Sequence, residues 1–210
     1  SSAVFFYDTT LDVTWLRNMN TPNAPLGFAS AKAWADGLTT GGFTDWRLPT
    51  LVDTNSPGCN LSYSGGTDCG ANVQTKSGDP LVREVGQTIF SEMAHLFYVT
   101  LGNVTAYNAD HSVKPGLRGV DWGLVNTAHF DNMQIEVYWS DTQPATGPDM
   151  AWVFGTDDGL QFYGPINGPT DAPRFVAVLR SGDVLAVPEP GTLALLALGL
   201  AGLGYSRRKQ

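Results

Sequence analysis

The sequence predicts an α+β domain, with two helical segments early, a twisted antiparallel sheet assembled from short strands late, and an apolar helix at the C-terminus. Three observations carry this reading. Ala31, Trp34 and Leu38 recur at i, i+3 and i+7, and Val82, Val85, Ile89, Met93 and Leu96 repeat the helical spacing over a longer stretch. After residue 135 four β-prone runs follow one another, separated by turn residues. The 24 glycines and 13 prolines among 210 residues call for many turns, so the elements between them are short.

Val4-Phe5-Phe6-Tyr7 and Val13-Thr14-Trp15-Leu16 read as strands around the turn-like Asp8 to Asp12. A helix is expected from Ser30, as N-cap, to Leu38, with Gly41-Gly42 stopping it. A second, longer helix is expected from about Pro80, suited to a first turn, to Leu101, with Gly102 ending it. Residues 104–131 are polar, glycine-bearing and aperiodic, and read as loop. Strands are then expected at 136–139, 150–154, 160–163 and 174–179, with Asp157-Asp158-Gly159 as a hairpin turn. The chain divides into a domain over 1–183, a linker over 184–190 and a tail over 191–210, and no internal repeat is visible.

Hydrophobic content of 42% against 15% charged residues is that of a globular chain. Before Pro188 stand 19 acidic and 9 basic residues, a net charge of −10. This argues against nucleic acid as a partner, because phosphates require a basic footprint. Cys59 and Cys69 lie in a Gly/Ser/Asn-rich stretch and are expected to form a disulfide closing a short loop, as an exported protein tolerates; two idle thiols are the alternative. A zinc site would need further ligands nearby.

Pro188-Glu189-Pro190 precedes Gly191 to Tyr205, fifteen residues that are apolar, small or Thr, and Arg207-Arg208-Lys209 follows at once. As a helix the run covers about 22 Å of a roughly 30 Å hydrocarbon layer. A core helix is the competing reading for so short a run. Leu and Ala all round leave no polar face for water, Pro-Glu-Pro breaks continuity with the domain, and the terminal bases would stay cytoplasmic. A thinned bilayer and snorkelling arginines supply the missing length. This three-part order resembles the PEP-CTERM sorting signal of Gram-negative, biofilm-forming bacteria. The resemblance implies that an exosortase, a membrane protease-transpeptidase, recognises Pro188, Glu189 and Pro190 and processes the tail. The chain is then expected to be exported as an inner-membrane-anchored precursor, with a signal peptide before Ser1, and to reach the cell surface or extracellular matrix.

Trp15, Trp34, Trp46, Trp122, Trp139 and Trp152 fall in or beside the expected elements, where large rings build a core more often than a ligand site. Trp46-Arg47-Leu48-Pro49 reads either as a binding strip or as packed rings with Arg47 paired to a buried carboxylate or carbonyl. Asp45-Trp46-Arg47-Leu48-Pro49 and Tyr138-Trp139-Ser140, with Val13 to Leu16, the Trp34 helix, Ala151 to Phe154 and Phe175 to Arg180, stand in an order that resembles a domain of unknown function. That domain is shared with the C-terminal domain of a bacterial collagen-like adhesin. The resemblance implies a C-type-lectin-like fold over roughly Val4 to Asp183 and ligand display on long loops.

No motif of nucleophilic, metalloprotease or phosphate-binding chemistry is present, and His95, His111 and His129 are dispersed. The formylglycine-generating oxidases that use a lectin-like fold need a late reactive cysteine pair, whereas both cysteines here are early. A non-enzymatic protein is therefore expected. Calcium is the cofactor question, since Asp141, Asp149, Asp157 and Asp158 are near in sequence, although turn-forming aspartate is the ordinary explanation. Asn60-Leu61-Ser62 and Asn103-Val104-Thr105 match the glycosylation pattern by coincidence. The leading reading is a binding module for extracellular polysaccharide or a surface protein, and the alternative is a component that assembles with itself. A glycan binder should show a groove with exposed aromatic rings; a self-assembling protein should show an exposed apolar patch or a free sheet edge.

Overall fold

Two antiparallel sheets share one long closing segment. The computed structural model describes residues 4–53, 68–73, 90–145, 147–166 and 172–184. In chain order these form β1 (Phe5–Asp8), β2 (Val13–Leu16), α1 (Phe28–Asp36), β3 (Gly70–Ala71), α2 (Glu92–His95) running into a π-helical turn (Leu96–Thr100), β4 (Val137–Trp139), β5 (Met150–Gly155), β6 (Leu160–Pro165) and β7 (Leu179–Ser181). The first sheet has the order β1-β2-β7 and the second β3-β6-β5-β4. The expected mixed α+β class holds, with strands dominating. The single late sheet is corrected to two sheets, because β7 returns to pair with the N-terminal β2 through Trp15 and Leu179.

Alternation of side chains along each strand divides the interior in two. Trp15, Tyr138, Phe154, Ala177 and Leu179 join Met93, Leu96 and Phe97 in one core. Trp139, Ala151, Val153, Val176 and Val178 join α1, Trp46 and Leu48 in the other. A strand buried on both faces loses its apolar-polar alternation, and β5 accordingly reads as a continuous apolar run, while buried Thr14 of β2 donates its hydroxyl to Gly182 O at 2.6 Å. Four of the six tryptophans are buried and Trp34 packs partly against the second core, so the rings build the interior as expected.

Three local expectations change. The first helix begins three residues early, with an extended Gly27 rather than Ser30 as its N-cap and Phe28 as its first residue, and Ser30 lies inside it. Phe28, Ala31 and Ala35 are its buried face, with Trp34 packed at the flank. The continuous helix to Leu101 is interrupted at Ser91, whose backbone is extended and bridges to Leu51. Ser91 Oγ accepts the Ala94 N–H at 3.1 Å, so a new helix starts there; residues 80–89 lie outside the described residues. The strand expected over 174–179 begins as paired single residues. Leu26 and Arg174 exchange backbone hydrogen bonds, the Trp139 N–H donates to Phe175 O at 3.1 Å, and the Leu16 N–H donates to Val178 O at 3.1 Å before β7 forms.

The hairpin turn between β5 and β6 is as expected, and its Gly159 has φ +78°. A Cβ there would lie 2.7 Å from the Tyr98 hydroxyl and 3.0 Å from Thr105 Cα, whereas one at Gly182, φ +75°, would meet nothing within 4 Å. Gly182→Ala isolates the backbone penalty, expected at about 1 kcal/mol, and Gly159→Ala adds the clash, expected at about 2–3 kcal/mol in all. Urea unfolding of the two variants checks this, and equal losses would remove the packing role assigned to Gly159.

Candidate functional site

Trp46-Arg47-Leu48-Pro49 is the candidate binding strip, and the structure shows what its residues and their neighbours do. Trp46 and Leu48 are buried in the second core. Arg47 exchanges backbone hydrogen bonds with Leu179, at 2.9 and 3.0 Å, which turns its side chain toward α2. There Nη1 and Nη2 donate to Glu92 Oε2 and Oε1, both at 2.7 Å, and the Thr50 N–H donates to Oε2 at 2.7 Å. A planar guanidinium on a carboxylate at a helix N-terminus is a strong pairing, since donor fork, partner and helix dipole agree. Arg180 clasps Asp45 at 2.8 and 3.0 Å, stacks over Phe43 at 4.2 Å and holds the Asp45 carboxyl below its usual range. Ser140 Oγ and the Asp141 N–H both donate to Pro49 O at 2.8 Å. Of the two readings of Trp46-Arg47-Leu48-Pro49, packed rings with Arg47 on a carboxylate is the observed one. The strip joins elements.

The aspartates proposed for calcium separate. Asp141 is ion-paired with Lys32. Asp157 and Asp158 sit on the β5–β6 turn, with Arg118 3.6 Å from Asp157. Among the described residues no group of three or more His, Cys, Asp or Glu is placed to hold a metal ion. Burial pushes the Asp158 carboxyl up to about 6, with Asp157 adding to the rise, while the Leu160 N–H donated to it at 2.9 Å acts the other way. The histidines stay apart: His95 is buried in α2, His129 stacks on Phe6 with ring centroids 4.6 Å apart, and His111 lies on an exposed turn.

Residues 103–135, which include the expected loop over 104–131, form one continuous surface segment between the π-helical turn and β4. Asn103 is buried, and its Oδ1 accepts the N–H groups of Val125 and Asn126 at 3.0 and 2.8 Å. Asn126 Nδ2 returns to Leu101 O at 2.7 Å. This explains Asn103 as a loop anchor and leaves it inaccessible to modification. Thr105 Oγ1 and the Ala106 N–H donate to Asp158 O, each at 2.8 Å, and Leu124 and Phe130 insert into the first core. A loop stapled at both ends and through its middle holds its outer side chains in place. Its outer side chains include six of the eight exposed large hydrophobics among the described residues, led by Leu117 at 68% and Val120 at 63%, interspersed with exposed Asp110, His111, Arg118, Asp121, His129 and Asp131. No described aromatic residue is exposed to a comparable degree. The signal available in the sequence was aliphatic residues at turn-rich positions without periodicity, which a search for helices and strands discards.

A cleft of about 270 Å³ lies where the closing segment meets β4, lined by Pro25, Glu136, Val137, Pro173, Arg174 and Phe175. The Arg174 guanidinium lies 5.0 Å from the Trp139 ring centroid, and Trp139 Nε1 donates to Leu26 O at 2.7 Å. Cys69 is buried against Leu51 and Trp152, and no free cysteine stands among the described residues. Cys59, Asn60 and the tail residues Pro188, Glu189, Pro190, Arg207, Arg208 and Lys209, with the apolar helix expected between them, lie outside the described residues. Among those described, no helix is long and apolar enough to cross a membrane.

Residues 186–209 match the family model described as the PEP-CTERM protein-sorting motif. The motif marks a membrane-anchored precursor that an exosortase processes and that is exported to the cell surface or extracellular space. No curated protein and no solved structure matches the chain.

Two outcomes follow from this geometry. Glu92→Gln leaves the partly buried Arg47 with a neutral partner and should lower stability by about 2 kcal/mol in urea unfolding, a value reduced from that of fully buried pairs because Arg47 is 30% exposed. No loss would remove the pair from the account. Asp158 has its folded-state value raised above the usual 3.8. The folded chain therefore holds a proton that the unfolded chain has lost across the window from 3.8 to about 6. This contribution is fully present below the window and disappears as pH rises through it. Asp158→Asn should flatten that portion of the stability profile relative to the parent protein, and identical profiles would refute the assignment.

Proposed function

We propose that the domain is a non-enzymatic contact module, carried outside the cell by its sorting tail, that meets another protein through the aliphatic face of residues 103–135. The single observation behind this is that six of the eight exposed large hydrophobics among the described residues fall on one stapled loop. Sugar rings are usually met by exposed aromatic faces beside polar groups, and the rings here are packed inward. Aliphatic surface held out in water costs solubility unless something covers it, so such patches mark contact sites. A non-enzymatic role is supported by the separation of the histidines and by the structural employment of the polar side chains of the Arg47 strip.

A C-type-lectin-like scaffold of the domain-of-unknown-function type shared with the collagen-like adhesin suits this reading, because long loops carried on antiparallel sheets are how it would present a contact face. A disulfide from Cys69 to Cys59 would tie the stretch between them to the buried site beside Trp152. Polysaccharide is kept as a second reading on the strength of the cleft beside Arg174, whose volume suits one sugar residue and whose guanidinium would favour an acidic one.

The sorting half is tested by replacing Pro188, Glu189 and Pro190 with alanine. The altered chain should accumulate at precursor size in the membrane fraction, and normal processing would remove the motif from the route. The binding half is tested with processed protein carrying Leu117→Asp and Val120→Asp. Retention at the surface should fall about tenfold or more, the effect of losing at least about 1.4 kcal/mol of contact energy. A glycan array with and without calcium, on which the parent protein binds an acidic glycan and Arg174→Ala does not, would overturn the protein-contact reading in favour of polysaccharide.

A further inference from the structure

The domain is tied down to within four residues of Pro188-Glu189-Pro190. The Gly182 N–H donates to Asp12 O at 2.9 Å, Thr14 Oγ1 donates to Gly182 O at 2.6 Å, and the Val184 N–H donates to Thr14 Oγ1 at 3.3 Å. Thr14 and Val184 are both buried, so the first sheet holds the chain as far as Val184. Only Leu185, Ala186 and Val187 separate Val184 from Pro188. Fully extended, that stretch covers about 14 Å, little more than the about 10–12 Å diameter of one helix. An enzyme that encloses Pro188-Glu189-Pro190 therefore works against the surface around Val184, unless Val184 is first pulled from its buried place and the bonds at Thr14 are broken.

The rim at this exit is acidic. It consists of the β1–β2 turn, with exposed Thr9 and Asp12, and of Ser181 and Asp183 at the end of β7. The Tyr7 hydroxyl donates to Asp12 Oδ1 at 2.7 Å. That bond raises it above its ordinary value, followed by desolvation and the charges of Asp12 and Asp183, so both aspartates stand near one ring. Residues 1–16 and 181–190 contain no lysine or arginine. Arg180, beside Ser181, is spent on Asp45. Asp8 is buried and accepts the Thr10 and Leu11 N–H groups. An anionic lipid surface repels such a rim, whereas a basic protein surface is drawn to it.

We propose that the rim around Val184, with Asp12 and Asp183, is the surface against which the exosortase rests while it reads Pro188-Glu189-Pro190, and that it meets a basic face of that enzyme. The inference rests on the sorting route, not on the contact reading of residues 103–135. The short tether supplies a high effective concentration, so a contact too weak to hold free proteins together is sufficient there.

The test follows the full chain in cells that carry the exosortase. Ser181→p-benzoylphenylalanine, a photo-reactive residue at an exposed position, should capture the exosortase on illumination. About twenty Gly and Ser residues inserted after Val184 span about 25 Å and relax the tether. The adduct should then fall about tenfold while processing continues. Asp12→Asn with Asp183→Asn removes both charges, and asparagine suits the φ of +53° at residue 12. The pair should slow conversion of precursor to processed chain about tenfold. In the lengthened chain the same pair should slow nothing further, because the contact is already lost. An effect of equal size in both chains would mean a damaged fold and would overturn the contact. So would a processed chain that captures no exosortase, or only a different protein, with the sorting route left standing. Faster processing of Thr14→Val would show that the terminal residues are released instead, and would overturn it as well.

Discussion

The architecture depends on the strip from Asp45 to Asp53, and above all on the Arg47–Glu92 pair within it. Arg47 belongs to three elements at once. Its backbone extends the edge of the first sheet at Leu179, its neighbours Trp46 and Leu48 fill the second core, and its guanidinium grips the first residue of α2. Thr50 shares the same carboxylate, while Pro49 O receives both Ser140 and Asp141 at the end of β4. A fork of two short charge-assisted bonds tolerates little displacement of either partner, so it sets the position of α2 relative to both sheets.

The segment from Arg174 to Ser181 is the complement of that strip. It runs first beside β4 and then beside β2, and its alternate side chains enter different cores, Val176 and Val178 on one side and Ala177 and Leu179 on the other. A chain in this position must be extended, since alternation between two faces is a property of the pleat. From Val176 to Leu179 it must also be apolar, because neither face meets water there. The late Phe175-Val176-Ala177-Val178-Leu179 run satisfies both demands.

With the scaffold held by these two segments, residues 103–135 contribute no strand to either sheet and are nevertheless held in shape. Buried Asn103 accepts the loop's own Val125 N–H, Asn126 ties it to Leu101 O and buried Thr105 to Asp158 O, and Leu124 and Phe130 peg it to the core. The outward aliphatic residues therefore face solvent on a firm support. The PEP-CTERM tail takes that surface out of the cell.

Local order and destination were legible in the sequence. Val13 to Leu16, Met150 to Phe154 and the Asp157-Asp158-Gly159 turn declare themselves through β propensity and turn chemistry, and the sorting tail declares itself through the order of its three parts, because these are properties of consecutive residues. The helix break at Ser91 was not legible, since it follows from a bridge to Leu51, forty residues away. Nor was the return of β7 to β2, which makes two sheets where the run of late strands suggested one. Trp46-Arg47-Leu48-Pro49 could be recognised as a motif, but its two readings were separated only when Glu92 was found opposite Arg47. The aliphatic residues between Val104 and Ile135 have no period, so nothing in their spacing told which would be buried; Leu124 and Leu117 differ only in where the folded backbone points them. Sequence determined the element types and the route of export, because both are written in neighbouring residues, whereas partners and exposure were decided by tertiary structure, because both depend on residues brought together from distant parts of the chain.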